Sequence, residues 1–262
     1  MPLKPKKKLS QFFLTSEKIA QILVKALQIN SEEEVLEIGA GTGVLTKYLC
    51  QYAKRVYAVE IDIDLVWFLE DLTRQFNNLV VVNADILQFN WQNYQNLKII
   101  GNLPYHLSSK ILATLIDNIN SWQMAVLTLD ENVALKLLKK PEEPQGSILT
   151  VLFNLYTECK KILRISPNKF YPSPNVTSIA LLIKKRSRPL FNDLNYQKFE
   201  QIIRTVFRQP RKTIANNLTM FLKLPKHLLT SFTVINLSRR AEDLTLDEFY
   251  KLAKYILQII KL

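Results

Sequence analysis

Glycine is scarce in this sequence, with five residues in 262, and three of them fall within positions 39–43. Cysteine and histidine are scarcer, at two each. Cys50 and Cys159 are too few for a disulfide framework, and with His106 and His227 they give no metal-ligand spacing, so no metal is expected. Both thiols sit in apolar stretches and read as buried thiols of a reducing compartment. No apolar run reaches the ~18 residues of a membrane span, and no membrane association is expected. The opening MPLKPKKK lacks the apolar core of a signal peptide and is too short and Lys-based for a transit peptide, so the expected location is cytoplasmic. That tail reads as solvated, with a contact to a phosphate backbone as the alternative. Acidic residues are also in deficit: 23 Asp+Glu against 35 Lys+Arg leave +12, which points to a polyanionic partner.

Alternation is what the sequence has in quantity. Strand-like stretches at 35–38, 55–61, 79–83, 98–101 and 124–129 alternate with helical-period segments at 18–27, 45–52, 64–75, 109–118 and 132–139. This order implies parallel βαβ units in a doubly wound sheet. After Gly146 it changes. Residues 148–156 read as helix, then 160–165 and 177–184 as two strands joined through Pro167, Pro172 and Pro174. With no helix between them, these strands are expected to pair antiparallel at the end of the sheet. Residues 184–195, basic and without apolar period, read as a linker, and 196–222, 225–231 and 246–260 as helices. The expected domains are therefore 1–186 and 187–262. From Ser187 onward 13 Lys+Arg stand against 6 Asp+Glu, giving +7 and leaving +5 for the first 186 residues, so the smaller part is more basic per residue.

The glycine cluster lies in VLEIGAGTG, between a strand and a helix, where glycine allows a tight turn and a close approach of backbone to ligand. Gly39 and Gly41 are the candidate contacts. Dinucleotide enzymes use the same device, so the next strands decide. Residues 55–61 carry an acid one place before their end, Glu60, 21 residues after Gly39, a distance at which a carboxylate accepts hydrogen bonds from ribose hydroxyls. The third strand ends VVNAD, with Asp85 at its tip; Ile61 and Ile86 follow the two acids as apolar neighbours. Acids so placed crowd a pyrophosphate and suit a nucleoside without phosphate. S-adenosyl-L-methionine is such a ligand, with a ribose, an adenine and a cationic tail. The alternative is that Glu60 and Asp85 only cap the following helices.

The fourth strand delivers IGNLPYHLSSK, residues 100–110, to the same C-terminal edge. An exocyclic amine on adenine is a poor nucleophile because its lone pair is delocalised into the ring. Asn102 and the Leu103 carbonyl can accept its N–H hydrogens, Pro104 stiffens that geometry, and Tyr105 can stack on a base flipped from its helix. Gly101 is expected to give clearance beside the cofactor. A plain strand–turn–helix is the alternative.

With these residues in place, the chain resembles the rRNA adenine N6,N6-dimethyltransferase family, most closely its small-subunit branch. QFFLT, residues 11–15, resembles the family's opening Q-N/H-F-L; EIGAGTGVLT, AVEID, NAD and GNLPY follow in order. FYPSPNVTS, residues 170–178, is similar to F-x-P-x-P-K-V-x-S, and FRQPRKTIANNL, residues 207–218, to F-x-x-R-R-K-T-L-x-N. The resemblance implies a Rossmann-like class I methyltransferase of the α/β class, with a seven-stranded, mostly parallel sheet and a small C-terminal α-helical domain. It implies S-adenosyl-L-methionine as cofactor and dimethylation of two adjacent adenosines near the 3′ end of small-subunit (16S-type) rRNA during ribosome biogenesis. The implied partners are that rRNA and the pre-ribosomal small-subunit particle, with the protein itself a monomer. Position by position, it implies cofactor contacts at Phe12, Leu14, Gly39, Glu60, Asp85 and Asn102. It assigns the target base to Asn102, Leu103 and Tyr105, with Phe170 as a second aromatic sandwiching the adenine. Arg208, Arg211 and Lys212 are expected to touch RNA, against the alternative of a solvated helix face. Phe12 replaces the usual Asn or His, which leaves only a backbone contact there. His106 stands where Asn is common, and Asn175 and Pro210 remove two phosphate contacts. Rival readings are the related large-subunit dimethyltransferases, disfavoured by NLPY and the FxxxRKT segment, and an assembly factor in which methylation is secondary.

Overall fold

The computed structural model describes residues 6, 11–191 and 195–260. Apart from Lys6, the basic tail MPLKPKKK lies outside them, as do 192–194 of the expected linker.

The described elements begin with β1 (Phe13–Leu14), α1 (Glu17–Ala26), β2 (Glu34–Ile38), α2 (Thr46–Leu49), β3 (Arg55–Glu60), α3 (Ile63–Thr73) and β4 (Leu79–Asn83). They continue through β5 (Leu97–Asn102), α4 (Ser108–Asp117), β6 (Trp122–Asp130), α5 (Glu131–Leu137), α6 (Ile148–Tyr156), β7 (Thr157–Ile165), β8 (Phe170–Tyr171) and β9 (Ser178–Lys185). Four helices complete the described chain: α7 (Tyr196–Val206), α8 (Ile214–Leu222), α9 (Lys226–Thr230) and α10 (Leu246–Ile260).

Seven strands form one sheet in the order β4-β3-β2-β5-β6-β9-β7. Pairings among β2 to β6 are parallel, and β9 runs antiparallel to β6 with Asp130 opposite Ser178. This is the mostly parallel, Rossmann-like arrangement the sequence implies. Strands covered on both faces are buried along their length rather than alternately, as in β5, where residues 97–101 are all buried and the one charge among them, Lys98, pairs with Glu33 at 2.7 Å. The chain runs outward from β2 through β3 to β4, then returns to place β5 on the other side of β2. Open α/β sheets bind ligands at such a reversal of strand order. Here it sets residues 39–43, after β2, beside 102–105, at the end of β5.

The tight contact between those two strands explains Gly101 differently from the expectation. A Cβ at Gly101 would stand 2.8 Å from the Ile38 carbonyl oxygen and 3.1 Å from Ile38 Cβ. Its clearance is for β2, not for a cofactor.

Local signals account for the helix ends. Ser16 caps α1 by accepting from the Ile19 N–H, and Asp62 caps α3 by accepting from the Asp64 N–H. The continuous helix expected over 196–222 is two helices. Pro210, which cannot donate a backbone hydrogen bond, lies in the break, and Thr213 caps α8 by accepting from the Asn216 N–H. One pairing was not foreseen: β1 and β8 form a two-stranded sheet, with Leu14 opposite Phe170. Cys50 is buried, which holds its thiol up at a pKa of about 12, whereas Cys159 in β7 is only half-buried.

The chain divides into two compact units, residues 1–135 with 158–185, and residues 136–157 with 186–262. The expected boundary at 186/187 put 136–157 with the sheet. In α6 residues 150–155 are all buried, and Val151 and Leu155 share a core with Phe199, Ile203, Leu252 and Ile256. Its polar residues, Thr150 and Asn154, are buried as well, so no exposed face shows in sequence which core it joins. Among the described residues, no helix is long and apolar enough to cross a membrane.

Candidate active site

A cavity opens in the first unit at the strand-order reversal. Its walls are residues 11–14, the turn 39–42, Glu60 and Ile61, Asp85 and Ile86, and residues 102–105. Every expected cofactor position is therefore brought together. Glu37, Glu60 and Asp85 are the ionisable acids of the lining, which contains no Lys, Arg or His. A lining with acids and no cation disfavours phosphate and suits a neutral or cationic ligand.

Glu60 is 5 % exposed and takes a backbone hydrogen bond on each oxygen, from the Gly41 N–H at 2.9 Å and the Asp62 N–H at 2.9 Å. Burial raises the pKa of its carboxyl, and the two N–H donors oppose the shift. Glu60 thus ties the glycine turn to the end of β3. The cap of α3 is Asp62, which is itself bonded by Lys6 (2.5 Å) and Gln11 (2.8 Å). Asp85 does serve as a cap, one oxygen accepting from the Leu87 N–H at 2.9 Å, while it also faces the cavity. At Gly39 φ is +67°, and a Cβ would meet nothing within 4 Å. The backbone there is bare toward the ligand space. Ile61 is 51 % exposed at the mouth, and Ile86 is buried.

Asn102 carries the decisive geometry. Its Nδ2 donates to the Phe12 carbonyl at 2.7 Å, while its Oδ1 is buried with no hydrogen-bond partner. A buried unsatisfied acceptor costs ~1–3 kcal/mol, so this atom is set toward a donor that a ligand brings. The backbone contact expected of Phe12 is this carbonyl. The rest of the loop is pinned: the Leu103 N–H donates to Thr128 O at 3.1 Å, the Leu107 N–H to Pro104 O at 2.9 Å, and Ser108 Oγ to Tyr105 O at 2.7 Å. The Tyr105 hydroxyl is 2.6 Å from Ser178 Oγ, a buried residue that sequence reasoning did not single out. The last position of FYPSPNVTS is its only signal.

Phe170 corrects an expectation. It is 4 % exposed, belongs to the hydrophobic core and does not line the cavity, because its pairing with Leu14 turns it inward. The ring that stacks on Tyr105 is Phe12, with centroids 5.3 Å apart and planes at 28°. His106 is exposed and lies outside the lining. Arg208, Arg211 and Lys212 are exposed on the second unit.

Sequence reasoning also passed over Glu37, although an acid between the apolar Leu36 and Ile38 was visible in EVLEI. It is 1 % exposed, lines the cavity and accepts from Thr46 Oγ1 at 2.6 Å. Burial, with the Glu60 charge adding to it, pushes its pKa from the ordinary 4.5 up to about 8. Between those values the folded chain holds a proton that the unfolded chain has lost, so this group lowers stability progressively as pH rises from 4.5 to about 8. Glu37→Gln should flatten that slope. Urea midpoints of variant and wild type are expected to differ most near pH 8, in favour of the variant; parallel curves from pH 5 to 8 would refute the raised pKa.

A family model of ribosomal RNA adenine dimethylases matches residues 3–258. The chain belongs to that family. Its relatives include the ribosomal RNA small subunit methyltransferase A of Clostridium botulinum (strain Kyoto / Type A2), 31 % identical over 97 % of this chain and 94 % of that one. The protein of the same name from Francisella tularensis is 34 % identical over 97 % and 98 %. Among solved structures, a dimethyladenosine transferase from Plasmodium falciparum shares the fold with a TM-score of 0.75, at 23 % identity, over 95 % of this chain and 98 % of that one. The 23S rRNA methyltransferase ErmE does so at 0.71 and 21 %, over 93 % and 98 %. Membership makes the chain an S-adenosylmethionine-dependent rRNA adenine dimethyltransferase. The cavity fits that cofactor: acids without basic neighbours suit a cation, Glu60 stands at the strand end, and the bare turn at Gly39 leaves room for a ligand against the backbone.

Proposed function

We propose that this chain dimethylates the N6 amines of two adjacent adenosines near the 3′ end of small-subunit rRNA, acting in the cytoplasm as a monomer on the pre-ribosomal small-subunit particle. The unpaired Asn102 Oδ1 beside the acid-lined cavity supports this reading most directly. With Nδ2 committed to the Phe12 carbonyl, the amide offers only its acceptor to the pocket. An acceptor there holds one N–H of an adenine amine, and the Leu103 carbonyl holds the other, which keeps the nitrogen lone pair out of conjugation and free to attack. Glu60, Asp85 and the turn at Gly39 and Gly41 would hold the cofactor, which supplies an electrophilic methyl on a sulfonium. Leu14, Ile61 and Ile86 would exclude water around it.

Dimethylation needs a pocket that accepts the amine after one methyl is attached. A monomethylamine offers one N–H in place of two, so alignment for the second transfer rests on stacking, which does not depend on the N6 substituent. Tyr105 is the stacking ring, held at its hydroxyl by Ser178. The second, basic unit supports RNA binding, with exposed Arg208, Arg211 and Lys212 as the residues that would touch the RNA.

The test is mass spectrometry of RNA digested from small and large subunits that lack the modification, after incubation with excess cofactor. N6,N6-dimethyladenosine in the small subunit is expected. Monomethyladenosine as end product, or modification confined to the large subunit, would overturn the proposal.

A further inference from the structure

Apart from the cavity of the first unit, the second unit carries an open groove between α7 and the end of α8. Gln197, Glu200, Gln201 and Arg204, three or four residues apart on one face of α7, and Arg208, just past its end, line one side of it. Phe199, Ile202, Ile203 and Val206 form the buried face of the same helix. Across the groove stands Phe221, half-buried, and the Arg208 guanidinium lies over its ring, 4.3 Å from the centroid. The two arginines differ in their partners. Arg204 is neutralised by Glu200 at 2.6 Å, whereas Arg208 meets a ring instead of a carboxylate.

A guanidinium on an aromatic ring keeps its full charge, is weakly hydrated and presents a flat face. Nucleobases stack on such guanidinium planes and on aromatic rings. The amides of Gln197 and Gln201 each combine donors with an acceptor, the pattern that a base edge presents. The surroundings suit a polyanion, since the chain from Ser187 carries +7, and exposed Arg211 and Lys212 follow Arg208 within four residues.

We propose that this groove captures one unpaired nucleobase of the RNA, stacked on the Arg208–Phe221 pair, with the flanking phosphates drawn by Arg211 and Lys212. The site is separate from the catalytic cavity, and it rests on the reading of this chain as an rRNA-binding enzyme. It would make an extrahelical base outside the methylated adenines part of substrate recognition.

The experiment measures binding of the full-length protein to a fluorescently labelled single-stranded fragment of small-subunit rRNA across a KCl series. Phe221→Leu keeps an apolar side chain without a π-face, and Phe221→Trp keeps the ring. The leucine variant should bind about tenfold more weakly with an unchanged salt slope, and the tryptophan variant should retain wild-type affinity. Arg208→Lys, which keeps the charge but not the plane, should lose about as much as Phe221→Leu. On an abasic oligonucleotide of equal length, wild type and Phe221→Leu should bind alike. Unfolding midpoints of the variants separate lost binding from lost folding. If folded Phe221→Leu binds the fragment as wild type does, the groove is no base site, whatever RNA affinity the chain has. Equal binding to polyglutamate would show a general acidic-partner surface and overturn the proposal too. A wild-type protein that binds no RNA would remove the functional reading with it.

Discussion

Asn102→Ala is expected to lower the rate of methyl transfer by about 10²–10³-fold in a protein that still folds. That is the magnitude seen when one preorganised polar group facing the reacting atoms is removed. Two effects combine at this residue. The substitution deletes a buried acceptor whose position is fixed and unpaired, and it frees the Phe12 carbonyl that holds the amide in register. Asn102→Asp is informative because it keeps the shape and the acceptor but replaces the donor, setting a carboxylate oxygen against the Phe12 carbonyl at about the present 2.7 Å. Its rate should also fall, through a lost tether rather than a lost acceptor. Single-turnover kinetics at saturating cofactor, with unfolding midpoints as the control for folding, decide the matter. A rate within threefold of wild type for Asn102→Ala would remove Asn102 from the reaction.

Glu60→Ala is expected to weaken cofactor binding by about 1–3 kcal/mol, the usual loss when a charged hydrogen-bond partner is removed from a buried site. The carboxylate has a structural share in this. It also receives the Gly41 and Asp62 N–H groups, so its removal leaves two backbone donors unpaired and releases the glycine turn from the end of β3. Glu60→Gln separates the shares. Its amide oxygen retains one of the two N–H bonds, and its NH2, a donor, faces the other N–H, so it should bind more weakly than wild type and more strongly than Glu60→Ala. Titration calorimetry with S-adenosylmethionine measures both. Unchanged affinity in folded Glu60→Ala would end the assignment of this acid to the cofactor.

Both predictions start from residues that the sequence singles out. Alternating strand and helix patterns, with three glycines between the first buried strand and its helix, were enough for a doubly wound sheet. Acids at the tips of the next two strands and Asn-Leu-Pro-Tyr at the fourth located the site, because chain order in such folds determines which ends meet at one edge. Family membership agrees with motifs spread from Gln11 to Leu218. These features are local, and each is written in a run of a few residues.

Tertiary structure decided what depends on partners distant in sequence. Phe170 looked like a stacking ring until its pairing with Leu14 turned it into the core, and Phe12, 93 residues before Tyr105, took the place against that ring. Gly101 is glycine because β2 presses on β5, a contact between residues 63 apart. Helix α6 packs into the core of the second unit, and because even its Thr150 and Asn154 are buried, nothing in its period says which core it fills. Glu37 shows its raised pKa only when burial and Glu60 surround it. Composition and period specify the run of strands and helices that builds the sheet. Which buried surface meets which is a property of packing, and it determined the orphaned acceptor of Asn102, the tether of Tyr105 and the groove under Arg208.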